Sequence, residues 1–304
     1  MRTFADLVRR IGLRGDETVL VCEGDRIGGA DLAARVDQLS AGLIGAGIAR
    51  GDKVCIWLPN SVEFVVWELA SAQIGAIVTP IHTRYGSSEL GNILRQAQPK
   101  LLVYRSRFLG IDFDAILAMA IDGRIDVPDG PAAVDRVVRL DGPTPTLVTG
   151  RLEPGPAVDG EALARKAAVD PEDGAVCIFT SGTTGVPKGA LLSQRAILAT
   201  EQDVGDILGF RTGDRVLYAA PLASVFGCCN ALVASMSHDA CLVLLPTFEA
   251  GAALDAIERE GCSAMYGVPT MYVMMLSHPD FRPERTVSLR GGIIGGAPCP
   301  PQLA

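Results

Sequence analysis

Short apolar runs alternate with amphipathic stretches along the first third of the chain. Residues 54–58 (VCIWL) form one such run, and Asn60 follows it with Glu63 three positions later, the spacing of a helix capping box. We predict a helix through residues 63–73, with Gly75 at its C-terminal end. AIVTPI, SSELGNILRQAQ and KLLVY continue the pattern as strand, helix and strand. This alternation is typical of parallel βαβ units whose sheet is covered by helices.

The alternation lapses between about residues 141 and 160, where prolines and glycines indicate a surface connection, and then resumes. The predicted strands of the second series are AVCIF, DRVLYAA, ACLVLLP, SAMYGVP and GGIIGG, and the helices between them lie after Ser193, near Phe226, from Ala252 and through YVMML. We therefore predict an α/β fold with two mainly parallel sheets flanked by helices. The expected organisation is a first α/β subdomain, 1–160, and a second, 161–304.

The charge and hydropathy of the chain argue against several classes of function. The 304 residues carry a formal net charge of −8 without a block of lysine or arginine, so we expect no binding to nucleic acid or to an anionic membrane surface. No uninterrupted apolar stretch reaches the roughly 20 residues of a membrane span, and ALVASMSHDACLVLLP fits two buried elements around a turn better. The first residues lack the apolar core of a signal peptide, and we expect a cytoplasmic protein.

The eight cysteines are scattered, mostly inside apolar runs. They form no CxxC pair, and the chain has only three histidines, so no zinc-ligand spacing is present. We predict buried, reduced thiols and no metal site.

The stretch 179–193, FTSGTTGVPKGALLS, carries the most specific chemistry. It leaves an apolar run, devotes a loop to glycines and hydroxyl side chains, and then places a single lysine, Lys188. Glycines allow backbone N–H groups to turn toward one point, and the hydroxyls and the lysine add donors and positive charge, a collection that suits a polyphosphate. It is not a Walker A loop, because Pro187 and Gly189 flank the lysine where that motif has Gly and Ser or Thr.

FTSGTTGVPKG closely resembles the phosphate-binding signature of the acyl-adenylate-forming superfamily, which includes acyl- and aryl-CoA synthetases, luciferases and peptide-synthetase adenylation domains. The resemblance covers nearly all of residues 20–304, since GDKVCIWLPNSVEFVVWELASAQIGAIVTPIHTRYGSSEL, PLASVFG, VPTMYVMML and LRGGIIGGAPCPPQL occur in the family's order. It implies the large N-terminal domain of an adenylate-forming enzyme, layered αβαβα and incomplete at its C-terminal end.

The resemblance assigns three groups of site residues. It implies that the ATP β- and γ-phosphates bind Thr180, Ser181, Gly182, Thr183, Thr184, Gly185 and Lys188, that the adenine packs on Gly295, Gly296, Ala297 and Pro298, and that the acyl substrate pocket includes Ser224, Phe226 and Asn230. Many acyl-CoA synthetases have a histidine where this chain has Ser224. Phe226 and Asn230 are equally compatible with a place in the core. The TGD sequence at 212–214 precedes PLASVFG, so Asp214 is predicted to be a turn residue and not the family's ribose ligand.

The function implied by the resemblance is ATP-dependent activation of a small-molecule carboxylic acid, followed by thioester formation with coenzyme A. ATP, Mg²⁺ and coenzyme A are the implied cofactors, and a homodimer is a further expectation. The family's adenylation lysine, its ribose aspartate and its mobile C-terminal domain are expected beyond residue 304, so we expect a truncated chain that is inactive alone. Two alternatives stay open: a non-catalytic nucleotide-binding or regulatory relative, and an adenylation domain that loads a carrier protein.

Overall fold

The computed structural model describes residues 1–121, 134–141, 146–147, 160–180, 187–301 and 303. The elements up to residue 147 are α1 (Phe4–Gly12), β1 (Thr18–Cys22), β2 (Asp25–Gly28), α2 (Gly29–Gly45), β3 (Lys53–Trp57), α3 (Val62–Gln73), β4 (Ile77–Pro80), α4 (Ser87–Ala97), β5 (Leu101–Tyr104), β6 (Arg107–Phe108), β7 (Ile111–Asp112), α5 (Phe113–Ile121), β8 (Arg136–Arg139) and β9 (Thr146–Leu147).

The later elements include a π-helix and a short 3₁₀ turn. They are α6 (Gly160–Ala167), β10 (Gly174–Thr180), β11 (Lys188–Ser193), α7 (Gln194–Leu208), β12 (Arg215–Tyr218), the π-helix (Val225–Ala234), α8 (Ser235–Ser237), β13 (Cys241–Leu244), α9 (Ala250–Glu260), β14 (Ala264–Gly267), α10 (Pro269–Leu276), the 3₁₀ turn (Pro283–Thr286) and β15 (Gly291–Ile294).

Two larger sheets organise the chain, as the alternating pattern predicts. One has six strands in the order β15-β14-β12-β13-β1-β2, parallel except for the β1–β2 hairpin. The other has seven strands in the order β11-β10-β4-β3-β5-β8-β9, parallel except for the edge strands β11 and β9. The two short strands β6 and β7 form a separate hairpin.

Each sheet takes strands from both sides of residue 160. The early hairpin β1–β2 joins the late strands β12 to β15, and the later strands β10 and β11 join the early strands β3, β4 and β5. The sheets therefore do not divide at the predicted boundary between 1–160 and 161–304. That boundary was drawn from a loop-like composition, and composition does not report which strands pair.

Alternate residues of the central strands face two apolar clusters. Val54 and Ile56 of β3 belong to the main core, which continues into the six-stranded sheet and α1 to α3. Cys55 and Trp57 point to the other face, where a second cluster packs under α4 and α5 and the Trp57 ring stacks on Phe113 at 4.3 Å between centroids. This alternation is why the strands read as continuously apolar in the sequence.

Most predicted elements are confirmed within a few residues, but the start of α3 is not capped as predicted. The cap is Ser61, whose Oγ accepts a hydrogen bond from Phe64 N at 3.2 Å. The side chain of Asn60 instead makes bonds across the molecule, and Glu63 pairs with Arg105. The predicted Asn60–Glu63 capping box is therefore wrong, because the asparagine amide has stronger long-range partners.

Three further observations concern the apolar segments and the cysteines. ALVASMSHDACLVLLP contains helical residues up to Ser237 and the strand β13, as predicted. Seven of the eight cysteines are buried free thiols, and Cys299 is partly exposed. Across the described ranges, no helix combines the length and the hydropathy that a membrane crossing requires.

Candidate functional site

The carboxyl ends of the parallel strands of both sheets border one cleft of about 770 Å³. Segments that follow β3, β4, β12, β13 and β14 line it. Phe108, Phe248 and Met271 provide apolar surface, and His82 and Arg84 provide polar groups. Burial, and next the charge of Arg84, lowers the pKa of His82. Ligands of open α/β sheets bind at this end of the strands, so the cleft marks the candidate functional edge of the molecule.

Asn60 holds the two sheets together at this edge. It follows β3 of the seven-stranded sheet, and its Nδ2 donates to Ala220 O at 2.8 Å and to Leu245 O at 2.9 Å. Its Oδ1 accepts from Leu222 N at 2.7 Å. The partners follow β12 and β13 of the six-stranded sheet, so one buried amide fixes the relative position of the segments that form the cleft.

The predicted phosphate loop connects β10 to β11 at the edge of the seven-stranded sheet. Thr180, the last residue of β10, pairs with Lys188, the first residue of β11, and both are exposed. Gly189 lies against the sheet, where a Cβ would come within 2.9 Å of Cys177 Sγ. The other predicted phosphate ligands, 181–185, lie outside the described residues. Their role therefore stays a prediction.

The predicted adenine turn follows β15 at the edge of the six-stranded sheet. Gly295 N donates to Gly267 O at 3.1 Å, and Gly296 has a φ of +79°, a conformation that glycine adopts without strain. A Cβ on Gly295 would lie 3.7 Å from Phe226 Cε2. Ala297 and Pro298 are the exposed continuation of this turn. The structure thus brings the predicted adenine turn next to Phe226, one of the residues predicted for the acid pocket.

The three residues predicted for the acid pocket lie at the N-cap and within the first six residues of the π-helix. Ser224 caps it, because its Oγ accepts from Gly227 N at 3.2 Å and donates to Pro221 O at 2.9 Å. Phe226 stacks on Tyr266 with 5.6 Å between ring centroids. Asn230 Nδ2 donates to Glu201 Oε1 at 2.7 Å. The π-helix is rare and is frequently found at functional sites.

The cleft and the predicted acid pocket are neighbours and not the same space. Ala223 lines the cleft, whereas Ser224, Phe226 and Asn230 are absent from its described lining. Phe226 lies instead against Tyr266 of β14 and near Gly295, and Asn230 lies against Glu201 of α7. Whether they bind substrate is not tested by their position, and their assignment stays a prediction.

Glu201 and Tyr266 belong to this region, although no sequence motif assigns them to it. Glu201 is 2% exposed, and its desolvation raises the pKa of its carboxyl group to about 7, while the bond from Asn230 opposes the shift. Burial, and next the charge of Glu201, raises the pKa of Tyr266. The only signal in the sequence is that Glu201 is an acidic residue on the apolar face of a predicted helix. Without knowledge of the packing, this position cannot be told from an ordinary surface position.

Asp214 is a turn residue, as predicted. It lies immediately before β12, at the amino end of the strand, where its Oδ2 accepts from Arg211 N at 2.9 Å and its Oδ1 accepts from Ser263 Oγ at 2.8 Å. Arg290 completes the contacts of its carboxylate. The functional edge is at the opposite ends of the strands, so the TGD sequence at 212–214 does not contact it.

A match between a protein-family profile and most of the chain shows the family. The profile of the family described as AMP-binding enzyme matches residues 7–304. The chain belongs to this family. A mouse relative, the mitochondrial medium-chain acyl-CoA ligase ACSF2, is 34% identical over 303 residues, which are 94% of this chain and 49% of the mouse protein. This AMP-binding family member therefore spans about half the length of the curated relatives it matches.

Solved structures support the same fold. The N-terminal domain of FACL13 from Mycobacterium tuberculosis, crystallised with an inhibitor, has a TM-score of 0.79 at 24% identity and covers 100% of this chain and 72% of that one, a likeness of fold alone. ATP-bound MatB from Rhodopseudomonas palustris has a TM-score of 0.72 at 27% identity and covers 97% of this chain and 55% of that one. The AMP-binding family member thus has the fold of the N-terminal part of acyl-CoA ligases.

Proposed function

We infer that this chain supplies the nucleotide- and acid-binding part of an ATP-dependent acid–coenzyme A ligase. The observation that carries the proposal is the sequence SGTTGVPKG between β10 and β11, in a chain whose match to the AMP-binding family extends over residues 7–304. The names of its relatives, among them a medium-chain acyl-CoA ligase, support a carboxylic acid as the substrate.

The proposed reaction has two steps. An oxygen of the substrate carboxylate bonds to the α-phosphorus of ATP, and the bond from that phosphorus to the bridging oxygen breaks, which releases pyrophosphate. The sulfur of a deprotonated coenzyme A thiol then bonds to the acyl carbon, and AMP leaves with the electrons of the broken C–O bond. Mg²⁺ bound with the nucleotide would neutralise part of the phosphate charge.

This chain's own residues would bind and orient the reactants. The exposed ammonium of Lys188 and the hydroxyl of Thr180 stand at the two ends of the loop and would compensate charge on the β- and γ-phosphates. Residues 295–298 would pack against the adenine, and Ser224, Phe226 and Asn230 would border the acid. The histidine that many relatives have at position 224 is replaced by a group that does not titrate near neutral pH.

The test is acid-dependent exchange of labelled pyrophosphate into ATP, measured with the full-length gene product and a panel of carboxylic acids. We expect exchange with some acids and a loss of about a hundredfold in Lys188→Ala, the effect of removing one group that stabilises charge in the transition state. Lys100→Ala is the matched control, because Lys100 immediately precedes β5 at the amino ends of the strands. Exchange in Lys188→Ala equal to that of the wild type would contradict the assignment of the loop.

Location and assembly stay proposals. We keep the cytoplasmic location expected from the sequence and a homodimer as hypotheses. Cell fractionation and light scattering of the full-length gene product test them directly.

A further inference from the structure

Two buried polar groups beside the predicted acid pocket have no hydrogen-bond partner within the described ranges. One is Oε2 of Glu201 in α7, and the other is the hydroxyl of Tyr266 in β14. The two residues are 2% and 0% exposed. A donor or acceptor that is buried without a partner loses its bonds to water and destabilises the fold, so such groups are rare and call for an explanation.

Both groups lie behind residues of the predicted pocket. Glu201 accepts a hydrogen bond from Asn230, and the Tyr266 ring stacks on Phe226. Phe226 and Asn230 are half-buried, whereas Glu201 and Tyr266 are buried. The contacts run from Gly295 of the predicted adenine turn to Phe226 and then to Tyr266. The unpartnered groups are thus placed inward of the pocket residues and away from the protein surface.

Neighbouring tyrosines show that this part of the fold can provide partners for a phenol. The hydroxyl of Tyr218 donates to Pro221 O at 3.0 Å, and that of Tyr272 donates to Met265 O at 2.9 Å. Tyr218 is as deeply buried as Tyr266 and lies in the adjacent strand β12. The unpartnered state of Tyr266 is therefore a property of its position and not of buried tyrosines in this sheet.

The chemistry of the two groups fits one kind of ligand atom best. At pH values above the pKa of Glu201, its carboxylate oxygens only accept hydrogen bonds, whereas a tyrosine hydroxyl has a proton to donate. A ligand hydroxyl has both functions that these groups require, a proton to donate to Glu201 and a lone pair to accept from Tyr266. Beside a protonated amine the Tyr266 proton would find no acceptor, beside a ketone or ether the Glu201 oxygen would find no donor, and a hydrocarbon end would satisfy neither group.

We propose that Glu201 and Tyr266 form a polar end wall of the acid pocket, selecting carboxylic acids with a hydroxyl group remote from the carboxylate. The hydrogen bond from Asn230 holds one oxygen of Glu201, which leaves the other oxygen for the ligand. Glu201 and Tyr266 are specificity residues in this proposal and take no part in the bond-making steps. The proposal rests on the acid-activating function proposed above.

The experiment compares matched acids in the pyrophosphate-exchange assay with the full-length gene product. The pairs are 8-hydroxyoctanoate with octanoate, and 3-(4-hydroxyphenyl)propanoate with 3-phenylpropanoate. We expect a higher kcat/KM for the hydroxylated member of at least one pair. In Tyr266→Phe and in Glu201→Leu, the preference for the hydroxylated acid should fall about tenfold, which is the effect of one lost hydrogen bond. The kcat/KM for the unsubstituted acid should stay the same or rise.

Tyr218→Phe is the matched control, because it removes a buried hydroxyl that already has a protein partner. It should change kcat/KM for both members of a pair by the same factor. Wild-type preference for the unsubstituted acids in both pairs, or an unchanged preference in Tyr266→Phe and Glu201→Leu, would overturn the inference and leave the proposed function standing. Absence of exchange with every acid would instead contradict the proposed function.

Thermal unfolding gives a second readout that does not depend on catalysis. Tyr266→Phe removes a group without a partner, so its melting temperature should equal or exceed that of the wild type. Tyr218→Phe removes a bonded hydroxyl and should lower the melting temperature by about 2 °C. An equal decrease in the two variants would show that the Tyr266 hydroxyl has a structural partner, and would overturn the inference.

Discussion

At the scale of single residues, Asn60 and Glu201 have opposite effects on the stability of the fold. The amide of Asn60 makes three hydrogen bonds to backbone atoms between the two sheets. Glu201 is buried with one oxygen unpartnered in the described part of the chain. One residue stabilises the site's framework, and the other keeps a polar group in the interior at a cost to stability. Each leads to a measurable prediction.

Asn60→Ala should lower the free energy of unfolding by about 2–4 kcal/mol, because it leaves two carbonyl groups and one N–H group unpaired in a buried place. Denaturant unfolding measures this difference. Asn92→Ala is the control, since in the described part of the chain the Asn92 side chain bonds only to Arg95, one turn along α4, and it should change the free energy by at most about 0.5 kcal/mol. Equal effects of the two substitutions would show that Asn60 does not connect the sheets.

The Glu201 carboxyl group should make stability depend on pH. Its pKa is raised from 4.5 to about 7 in the folded chain. The folded state therefore keeps a proton that the unfolded state loses between these values, and stability falls as pH rises through this window. Relative to Glu201→Gln, the wild type should lose about 2–3 kcal/mol between pH 5 and pH 8. Parallel pH profiles of the two proteins would contradict the assignment.

At the scale of elements, the approach of the π-helix to the segment after β12 sets the geometry of the predicted acid pocket. Ser224 caps the helix, and Gly227 packs on the backbone of the preceding segment. α7 crosses the same region, where a Cβ on Gly205 would meet the ring of His238. Gly227 thus lets the π-helix approach the segment after β12, and Gly205 lets α7 approach His238, while Asn230 of the π-helix bonds to Glu201 of α7.

Gly227→Ala should destabilise the fold by about 1–3 kcal/mol and alter acid selectivity in the exchange assay. The added Cβ would lie 2.5 Å from Leu222 Cα and 2.7 Å from Pro221 O, and these are backbone atoms that cannot rotate away. Gly45→Ala provides the comparison, because, apart from its own helix, no atom of the described residues lies within 4 Å of a Cβ at this position at the end of α2. It should be neutral or slightly stabilising. A neutral Gly227→Ala would refute the close packing.

The helices and strands that are predicted best from the sequence are those with a clear hydrophobic period and a capping residue at their ends. Ser193 does cap α7, and Gly209 ends it in the left-handed conformation. β11 was missed because its residues, KGALLS, have small and mixed side chains, and the strand is recognisable only from its antiparallel pairing with β10. The residues up to Gly45 form α1, β1, β2 and α2, for which no prediction is made from the sequence.

At the scale of the whole molecule, the two sheets share the chain and meet at one edge. The family resemblance predicted the fold class and the location of candidate residues along the sequence. It did not reveal the interleaved strands, the bonds of Asn60 between the sheets, or the buried pair Glu201 and Tyr266. These features arise from contacts between residues far apart in the chain, and no local pattern encodes them.

The central claim is that the chain is part of an enzyme that joins a carboxylic acid to coenzyme A. The most direct measurement is mass spectrometry of the products formed by the full-length gene product from ATP, Mg²⁺, coenzyme A and a panel of acids. The account predicts an acyl-CoA thioester and AMP in equal amounts, with both products falling about a hundredfold in Lys188→Ala. ATP consumption without AMP, or the absence of any thioester across the panel, would contradict it.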